Sequence, residues 1–426
     1  MSLVDPIMGP GCGCDDADLL HGLLSVDAAL DVLTGLARPV SESEPLAIGA
    51  ARGRVLAEPL CACGPAPAFD NSAMDGYAIN TSDLVGDGPW MMAVTDRILA
   101  GDGRARSLRR GTAMRILTGA PLPDGADAVV MQETVRRDGN RITLRKRPAP
   151  GAHIRRVGED MGAGDVVLPD GQRLGPREIA VAAAAGADEL RVRRPVRAAI
   201  LVTGDELRTP DSGPGRGRIP DVNSPMLRAA LNEPSVRIIA TETGQDSLTG
   251  LADQLGRFAG SADIVITTGG ISVGAADFVK PAFELAGGRI AFSGVAIKPG
   301  KPVSAGHLER AVWLGLPGNP LAAFTIWEIF GKPLMARLAG ARRAPSRRRH
   351  VVTASAIRHR PGRCEARLAS LVGCDGMGRE VVTASGQTHS GRVGGLPDAD
   401  GLVLLPAEAE TLAAGSLLEF LPFETD

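Results

Sequence analysis

The chain has 426 residues, too many for one ordinary domain and enough for about two to four. It is 44% hydrophobic and 23% charged with a formal net charge of −2, a globular balance that argues against nucleic acid as the main partner. No run of about 18 apolar residues is present, which excludes a helical membrane span, and the opening MSLVDPIMGPGCGCDD lacks the basic and then apolar order of a secretory signal, so a cytoplasmic protein is expected.

Residues 1–17, rich in Gly, Cys and Asp, read as a disordered leader. Apolar residues at helical spacing predict a helix over 19–36, with Ser25 or Asp27 as its cap. From 39 to 147 short apolar runs such as AMRILTG, DAVVMQETV and RITLRK are broken by Gly, Pro and Asp, which predicts a β-rich region. A charged loop, HIRRVGEDMGAG, follows, and then a small-residue helix, PREIAVAAAAGA. Between 198 and 340 strands (AAILVTG, VRIIATET, DIVITTGG, RIAFSGVAI, AVWLGL) alternate with helices, the pattern of an α/β domain with a mostly parallel sheet. A basic linker, ARRAPSRRR, leads to a last β-like region over 351–423, read as a small separate domain. Tyr77 is the only tyrosine, so the cores must rest on Ala, Val, Leu and Ile. Six cysteines include two C-x-C pairs, Cys12/Cys14 and Cys61/Cys63, without the partners of a zinc framework, so free thiols are expected.

The chemistry concentrates in 263–320, where DIVITTGGISVGAADFVK, AIKPGKPVSAG and LGLPGNP are strand-like runs ending in Gly- or Pro-rich turns. Such turns expose backbone N–H groups and let an anion approach closely. Only five of 47 Lys+Arg are Lys, and three of these, Lys280, Lys298 and Lys301, fall in this stretch. Lysine is a compact point charge, not interchangeable with the planar arginine fork at an anion site. Ligands of α/β sheets bind at the carboxyl ends of strands, where these turns lie. Gly269, Gly270 and Gly274 suit close backbone approach, Asp277 near the next helix start suits Mg²⁺, and the Pro-Gly pair of GLPGNP suits a type II turn before a helix whose positive end faces a ligand. Asp205 and Glu206 stand just past a strand end, and Asn223 or Ser224 could simply cap a helix. DNSAMDGYA and HIRRVGED are also compatible with plain turns and a solvated charged loop, and MRILTGAPLPDGADAVVMQE with a hairpin whose turn residue Thr118 could bond an anion.

Taken in order, DNSAMDGYA, RILTGAPLPDGADAVVMQE, RRVGED, TGDEL, DVNSPML, TTGGISVGAADFVK, KPGKP and GLPGNP closely resemble the molybdopterin molybdenumtransferase family (MoeA and the gephyrin E-domain) from about residue 19 onward. The resemblance implies a multidomain α/β plus β fold: a leader at 1–17, an elongated linking domain from 18–63 and 151–190, a β-rich domain at 64–150, an α/β domain of molybdopterin-binding type at 191–340, and a C-terminal β domain at 346–426. It implies insertion of molybdate into the dithiolene of adenylylated molybdopterin with release of AMP, assisted by Mg²⁺. It further implies a homodimer whose site lies between subunits, with molybdopterin adenylyltransferase and recipient molybdoenzymes as candidate partners. A tungstate-using transferase and a non-catalytic molybdopterin carrier are the alternatives.

Carried over by position, Asp75, Asp160, Glu206, Asp277, Lys298 and Lys301 match the catalytic set, and Asp246 and Asp277 match metal-linked acids. Thr118, Arg155, Asn223, Gly269, Gly270, Ser272, Gly274, the Pro317, Gly318, Asn319 and Pro320 turn, Ser390 and Arg392 match substrate-binding positions. Lys298 and Lys301 lie three apart across a Pro-Gly turn, so both are expected to converge on one oxyanion. Two departures stand out: Gly294 where many bacterial members carry a lysine, and Pro234 where a glycine is usual. If the missing lysine is a handicap, Gly294→Lys should lower the molybdate requirement.

Overall fold

The computed structural model describes residues 22–204, 206–208, 217–245, 247–271, 278–342, 348–384, 386 and 389–423. The leader, Asp205, Asp246, Ser272, Gly274 and Asp277 lie outside these described residues.

The central layer is a six-stranded sheet in the order Val236–Thr243, Val196–Val202, Ile264–Thr268, Ala311–Leu316, Ser304–Leu308, Arg289–Ser293. The first four strands are mutually parallel and the last two pairings antiparallel. Alternate residues of Val196–Val202 feed two different cores: Ala198, Ile200 and Val202 join one, Ala199 and Leu201 the other. A strand covered on both faces has no polar side to show, hence the unbroken AAILV run. On one face the helix Leu248–Ala259 buries Leu251, Leu255 and Phe258, a spacing of four and three. Ser247 caps it, its Oγ accepting from Gly250 N at 3.2 Å. The helix after GLPGNP, Pro320–Ile326, runs through a π turn at Trp327–Gly331 into Lys332–Leu338. RIAFSGVAI, read as one strand, is two: Gly294, at φ +98°, ends Arg289–Ser293, and Ile297–Lys298 leaves for another sheet.

The second sheet holds Ala128–Met131, Gly76–Ile79, Thr112–Ile116, Trp90–Ile98, Arg141–Leu144 and Arg136–Asp138 in that order, with its own core around Tyr77, Ile79 and Ile142. Ser43–Ala47 pairs with Glu189–Arg193 and Leu60–Cys61 with Val166–Leu168, so two distant segments form one small unit around Leu56, Leu174 and Leu190. Gly53, at φ +80°, leaves the space that the Pro234 ring fills; an added Cβ would stand 2.9 Å from Pro234 Cγ. The first described helix, Val26–Leu36, is capped by Ser25, whose Oγ accepts from Ala28 N at 3.1 Å. Although placed with the linking region from sequence, it buries Val26, Ala29 and Leu33 in the core shared with the α/β sheet.

The C-terminal sheet runs Ile297–Lys298, Cys364–Cys374, Glu380–Ala384, Arg349–Thr353, Leu417–Pro422, Gly401–Leu405, and Cys364–Cys374 also pairs with Gly401–Leu405. It is not free-standing. One of its strands comes from the α/β segment, and Cys364, Ala366, Leu402 and Leu404 share the α/β core. Among the described residues no helix is long and apolar enough to cross a membrane. Cys61, Cys63, Cys364 and Cys374 are free thiols, and burial pushes Cys364 up to about 12.

Candidate functional site

Two groups of predicted site residues are assembled, each from loops that fold against one another. The first lies at the carboxyl ends of the parallel strands. Gly269 and Gly270 have φ of +87° and +61°, the left-handed region that glycine enters without strain. Neither has room for a side chain: a Cβ on Gly269 would enter Thr203 O, and one on Gly270 would sit 2.7 Å from Val279 Cγ2. Gly318 lies against this turn, with the position of its missing Cβ 3.4 Å from Gly269 Cα. Gly318 is not among the positive-φ glycines, so the expected type II turn at Pro317–Gly318 does not form, and a Cβ there would make only an ordinary contact with Gly269.

Asn223 and Thr268 lace the two turns together. Asn223 Nδ2 donates to Thr268 Oγ1 at 2.6 Å and to Gly318 O at 2.9 Å, and Thr268 Oγ1 donates to Pro317 O at 3.2 Å. Asn223 is 6% exposed and sits inside the helix Asn223–Ala230, so it is neither a cap nor an open donor. Asp221 supplies the cap contact, its Oδ1 accepting from Ser224 N at 3.0 Å. Glu206 is exposed past the end of Val196–Val202, its carboxylate turned toward Gly204.

The helix Pro320–Ile326 was expected to offer its positive end to a ligand. In the structure Ser390 O accepts from Leu321 N at 2.9 Å and from Ala322 N at 3.3 Å, so these amides are occupied by the C-terminal unit. Asn319 Nδ2 donates to Ser390 Oγ at 3.0 Å. Ser390 is thus bonded to the Pro317–Pro320 turn, while Arg392 is exposed nearby in sequence.

The two lysines do not share a partner. Lys298, on Ile297–Lys298, is in register with Glu365, and its Nζ lies 3.3 Å from Glu365 Oε1. Lys301 is exposed and has no ion-pair partner among the described residues. Glu365 is 1% exposed and also pairs with Arg367, Nη2 to Oε2 at 3.0 Å. Burial pushes the Glu365 carboxyl up, but the Arg367 hydrogen bond and the Arg367 and Lys298 charges outweigh it and hold the group below the usual carboxylate range.

The second group gathers three separated strings of the β-rich region. Asp75 Oδ1 accepts from both Thr118 N and Thr118 Oγ1 at 2.8 Å, and these bonds hold its carboxyl below the usual range. The anion that Thr118 bonds here is therefore Asp75 itself. Asp70 accepts from Val157 N at 2.8 Å and from Arg156 Nη1 at 2.6 Å, and the Val157 bond leads the lowering of its carboxyl. Ser72 N donates to Ala120 O at 3.0 Å, Gly119 N to Ser72 O at 2.8 Å, and Ala73 N to His153 O at 2.9 Å. Arg155 and Asp160 lie on the rim, exposed and without side-chain partners among the described residues. Tyr77, the lone tyrosine, is a core residue under Arg115. Among the described residues no hydrogen bond or ion pair joins this group to the first.

Family models match in series along the chain: the MoeA N-terminal region (domain I and II) over 24–186, a "Probable molybdopterin binding domain" over 199–337, and the MoeA C-terminal region (domain IV) over 350–423. A molybdopterin molybdenumtransferase 2 of Mycobacterium tuberculosis is 38% identical over 87% of this chain and 92% of its own length. The chain belongs to the MoeA family. The molybdopterin molybdenumtransferase of Haemophilus influenzae is 38% identical over 70% of this chain and 74% of its own. In structure, a molybdopterin biosynthesis moeA protein from Pyrococcus horikoshii OT3 superposes with a TM-score of 0.82 at 27% identity, covering 94% of this chain and all of its own. The MoeA chain described here is accordingly an enzyme of molybdenum cofactor biosynthesis, of the molybdopterin molybdenumtransferase class.

Two features of this MoeA chain escaped sequence reading. Thr268 reads as an ordinary strand residue, and only the packing shows that its hydroxyl ties the two turns. Glu365 sits in CEARLASLVGC, a stretch not singled out from sequence; it is an 11-residue strand with Glu365 and Arg367 buried. The Gly294 departure has a backbone reason: φ is +98°, and a Cβ would lie 2.7 Å from Leu23 Cδ2.

Proposed function

We propose that the chain inserts molybdate into the dithiolene of adenylylated molybdopterin and cleaves the adenylyl phosphoanhydride, releasing AMP. The observation that carries this reading is the pair of glycine-floored turns at the strand ends, Gly269–Gly270 against Pro317–Gly318; Lys298, on the strand that passes into the C-terminal sheet, is brought to them in this reading. The first group suits phosphate and oxyanion: glycine turns admit a polyanion to backbone contact, and lysines offset its charge at roughly 4 kcal/mol per pair near a surface. Lys298 and Lys301 are the oxyanion donors of this reading, and Ser390 and Asn319 shape the far wall. Ser272, Gly274 and Arg392 belong to the same proposed pocket.

Mg²⁺ takes only one or two carboxylates beside water and phosphate oxygens, so Asp246 and Asp277 offer the right donor chemistry, with Glu206 kept as a catalytic acid. Such an ion would neutralise charge developing on the departing phosphate. No nucleophilic side chain is needed; the residues bind, orient and stabilise charge.

Asp75, Thr118, Arg155 and Asp160 act, in this reading, from a second subunit of a homodimer, opposite the α/β turns. This accounts for two groups of site residues that are not bonded within one chain. Molybdopterin adenylyltransferase and recipient molybdoenzymes are the proposed protein partners, and the cytoplasm the proposed location. The test is to incubate the purified protein with adenylylated molybdopterin, molybdate and Mg²⁺, and to follow AMP release and bound molybdenum. Release of AMP with molybdenum incorporated is expected; stable binding of the substrate with neither would favour a carrier.

A further inference from the structure

We propose that Glu365 is a positioning residue for Lys298: a buried carboxylate of the C-terminal unit that holds the lysine ammonium at the mouth of the oxyanion site. The inference rests on the reading of Lys298 as an oxyanion donor.

Three observations converge on it. The first is register. Ile297–Lys298 leaves the α/β segment and pairs in parallel with the start of Cys364–Cys374, with Ile297 opposite Cys364 and Lys298 opposite Glu365. Cys364 N donates to Ala296 O at 3.0 Å, which fixes this two-residue pairing from the α/β side. The lysine backbone is therefore clamped to the strand that carries its counter-ion.

The second is the asymmetry of burial. The Glu365 side chain is 2% exposed and that of Arg367 5%, whereas that of Lys298 is 36% exposed. A carboxylate taken out of water must be paired, and an arginine alone would suffice to neutralise it. Here Arg367 already does so from Oε2 and is itself anchored, donating from Nη2 to Arg358 O at 2.9 Å. The Oε1 oxygen is left for Lys298. The trio carries two positive charges and one negative, so it keeps a net +1, and its exposed member is the lysine.

The third is donor count. An ammonium has three N–H donors. One is directed to Glu365 Oε1, and two remain for the open side. Lysine is flexible, with about 2 kcal/mol of rotamer entropy to lose on being fixed. A fixed buried anchor removes that freedom before the oxyanion arrives, which is preorganisation rather than a new contact to the ligand. His359 flanks the carboxylate, Nδ1 3.8 Å from Glu365 Oε2, and burial pushes its imidazole below the usual range, so it adds little positive charge to compete with Lys298.

The experiment is calorimetric titration of molybdate into wild type, Lys298→Ala, Glu365→Asp, Glu365→Gln and the double variant Lys298→Ala/Glu365→Asp, with AMP release measured against molybdate in parallel. Glu365→Asp keeps the charge and the Arg367 partner but withdraws the carboxylate by one methylene. We expect Glu365→Asp to weaken molybdate binding by about fivefold to tenfold and to raise the half-saturating molybdate concentration equally, with kcat at saturation unchanged; about tenfold corresponds to 1.4 kcal/mol. Glu365→Gln should act in the same direction. In the Lys298→Ala background Glu365→Asp should have no further effect, which a purely structural role would not produce. Unchanged or tighter binding in Glu365→Asp, or an equal loss in both backgrounds, overturns the proposal. Unchanged binding in Lys298→Ala alone would instead overturn the reading of Lys298 on which it rests.

Discussion

Asp75 shows how a single carboxylate can be set by one neighbour. Both donors of Thr118 point at the same Oδ1, so the ionised form is favoured and the folded-state value falls below the usual one. Thr118→Val keeps the backbone donor and removes the hydroxyl. The Asp75 carboxyl should then titrate at higher pH, read by carbonyl NMR, while the backbone bond keeps part of the depression. An unmoved titration would mean that the hydroxyl is not an effective donor. Asp263 is the stronger case for stability. Arg194 reaches both its oxygens, at 2.7 and 3.0 Å, and Arg197 donates from N at 2.7 Å and from Nη2 at 3.1 Å. Burial pushes Asp263 up, yet these partners hold it below the ordinary range. A depressed folded value stabilises above the unfolded carboxylate pKa, and that stability is lost as pH falls through the folded value. Asp263→Asn should cost about 3 kcal/mol at neutral pH, the scale of breaking a largely buried pair, and the loss should shrink in acid. Denaturant melts at pH 7 and below pH 4 measure both; an equal loss at the two would assign the effect to packing.

At the scale of the element, Gly294 separates two strands that serve different sheets. Its φ of +98° is open to glycine and strained for lysine, and Leu23 occupies the side-chain direction. The expectation that Gly294→Lys would lower the molybdate requirement therefore gives way to another. The variant should lose about 1–3 kcal/mol of stability and gain nothing in molybdate use. Thermal melts beside AMP release against molybdate would decide; an unshifted melt with a lower molybdate requirement would reverse this conclusion. Elements of this kind mark the limit of what was legible. The α/β alternation, the glycine turns and the order of the motifs could be read because apolar runs and Gly-Pro punctuation are local signals. The hairpin Ser304–Leu308 to Ala311–Leu316 was half missed, since SAGHL has little β character and is held by its neighbours. Cys364–Cys374 was missed because its Glu365 and Arg367 neutralise each other inside the protein, which no single-strand pattern can reveal. Asn223 reads as a cap in any sequence, and only its contacts to Thr268 and Gly318 make it a tie.

For the molecule as a whole, the two groups of site residues require a second subunit if they serve one reaction. The protein should then scatter light as a homodimer, and a monomer of 44.1 kDa at micromolar concentration would contradict the shared site. Mixing Asp75→Ala with Lys298→Ala, at a molybdate concentration where neither releases AMP alone, should restore part of the activity, because one site of the heterodimer is intact; no recovery after subunit exchange would point to sites within one chain. A different consequence follows from the crossing at Ala66 and Met161, where Ala66 N donates to Met161 O at 2.8 Å and Met161 N to Ala66 O at 3.2 Å. The chain enters and leaves the β-rich unit side by side, and the neighbouring core around Leu56, Leu174 and Leu190 borrows no residue from 67–160. In genetic terms that stretch is a cassette. Replacing 67–160 by an Asn-Gly turn, which spans paired strands of this geometry, should leave a soluble remainder with its own cooperative melt. The shortened chain would lack Asp75 and its companions and be silent alone, yet it should regain AMP release when paired with a full-length Lys298→Ala partner. An aggregated remainder would show that the cassette has become part of the frame it was set into.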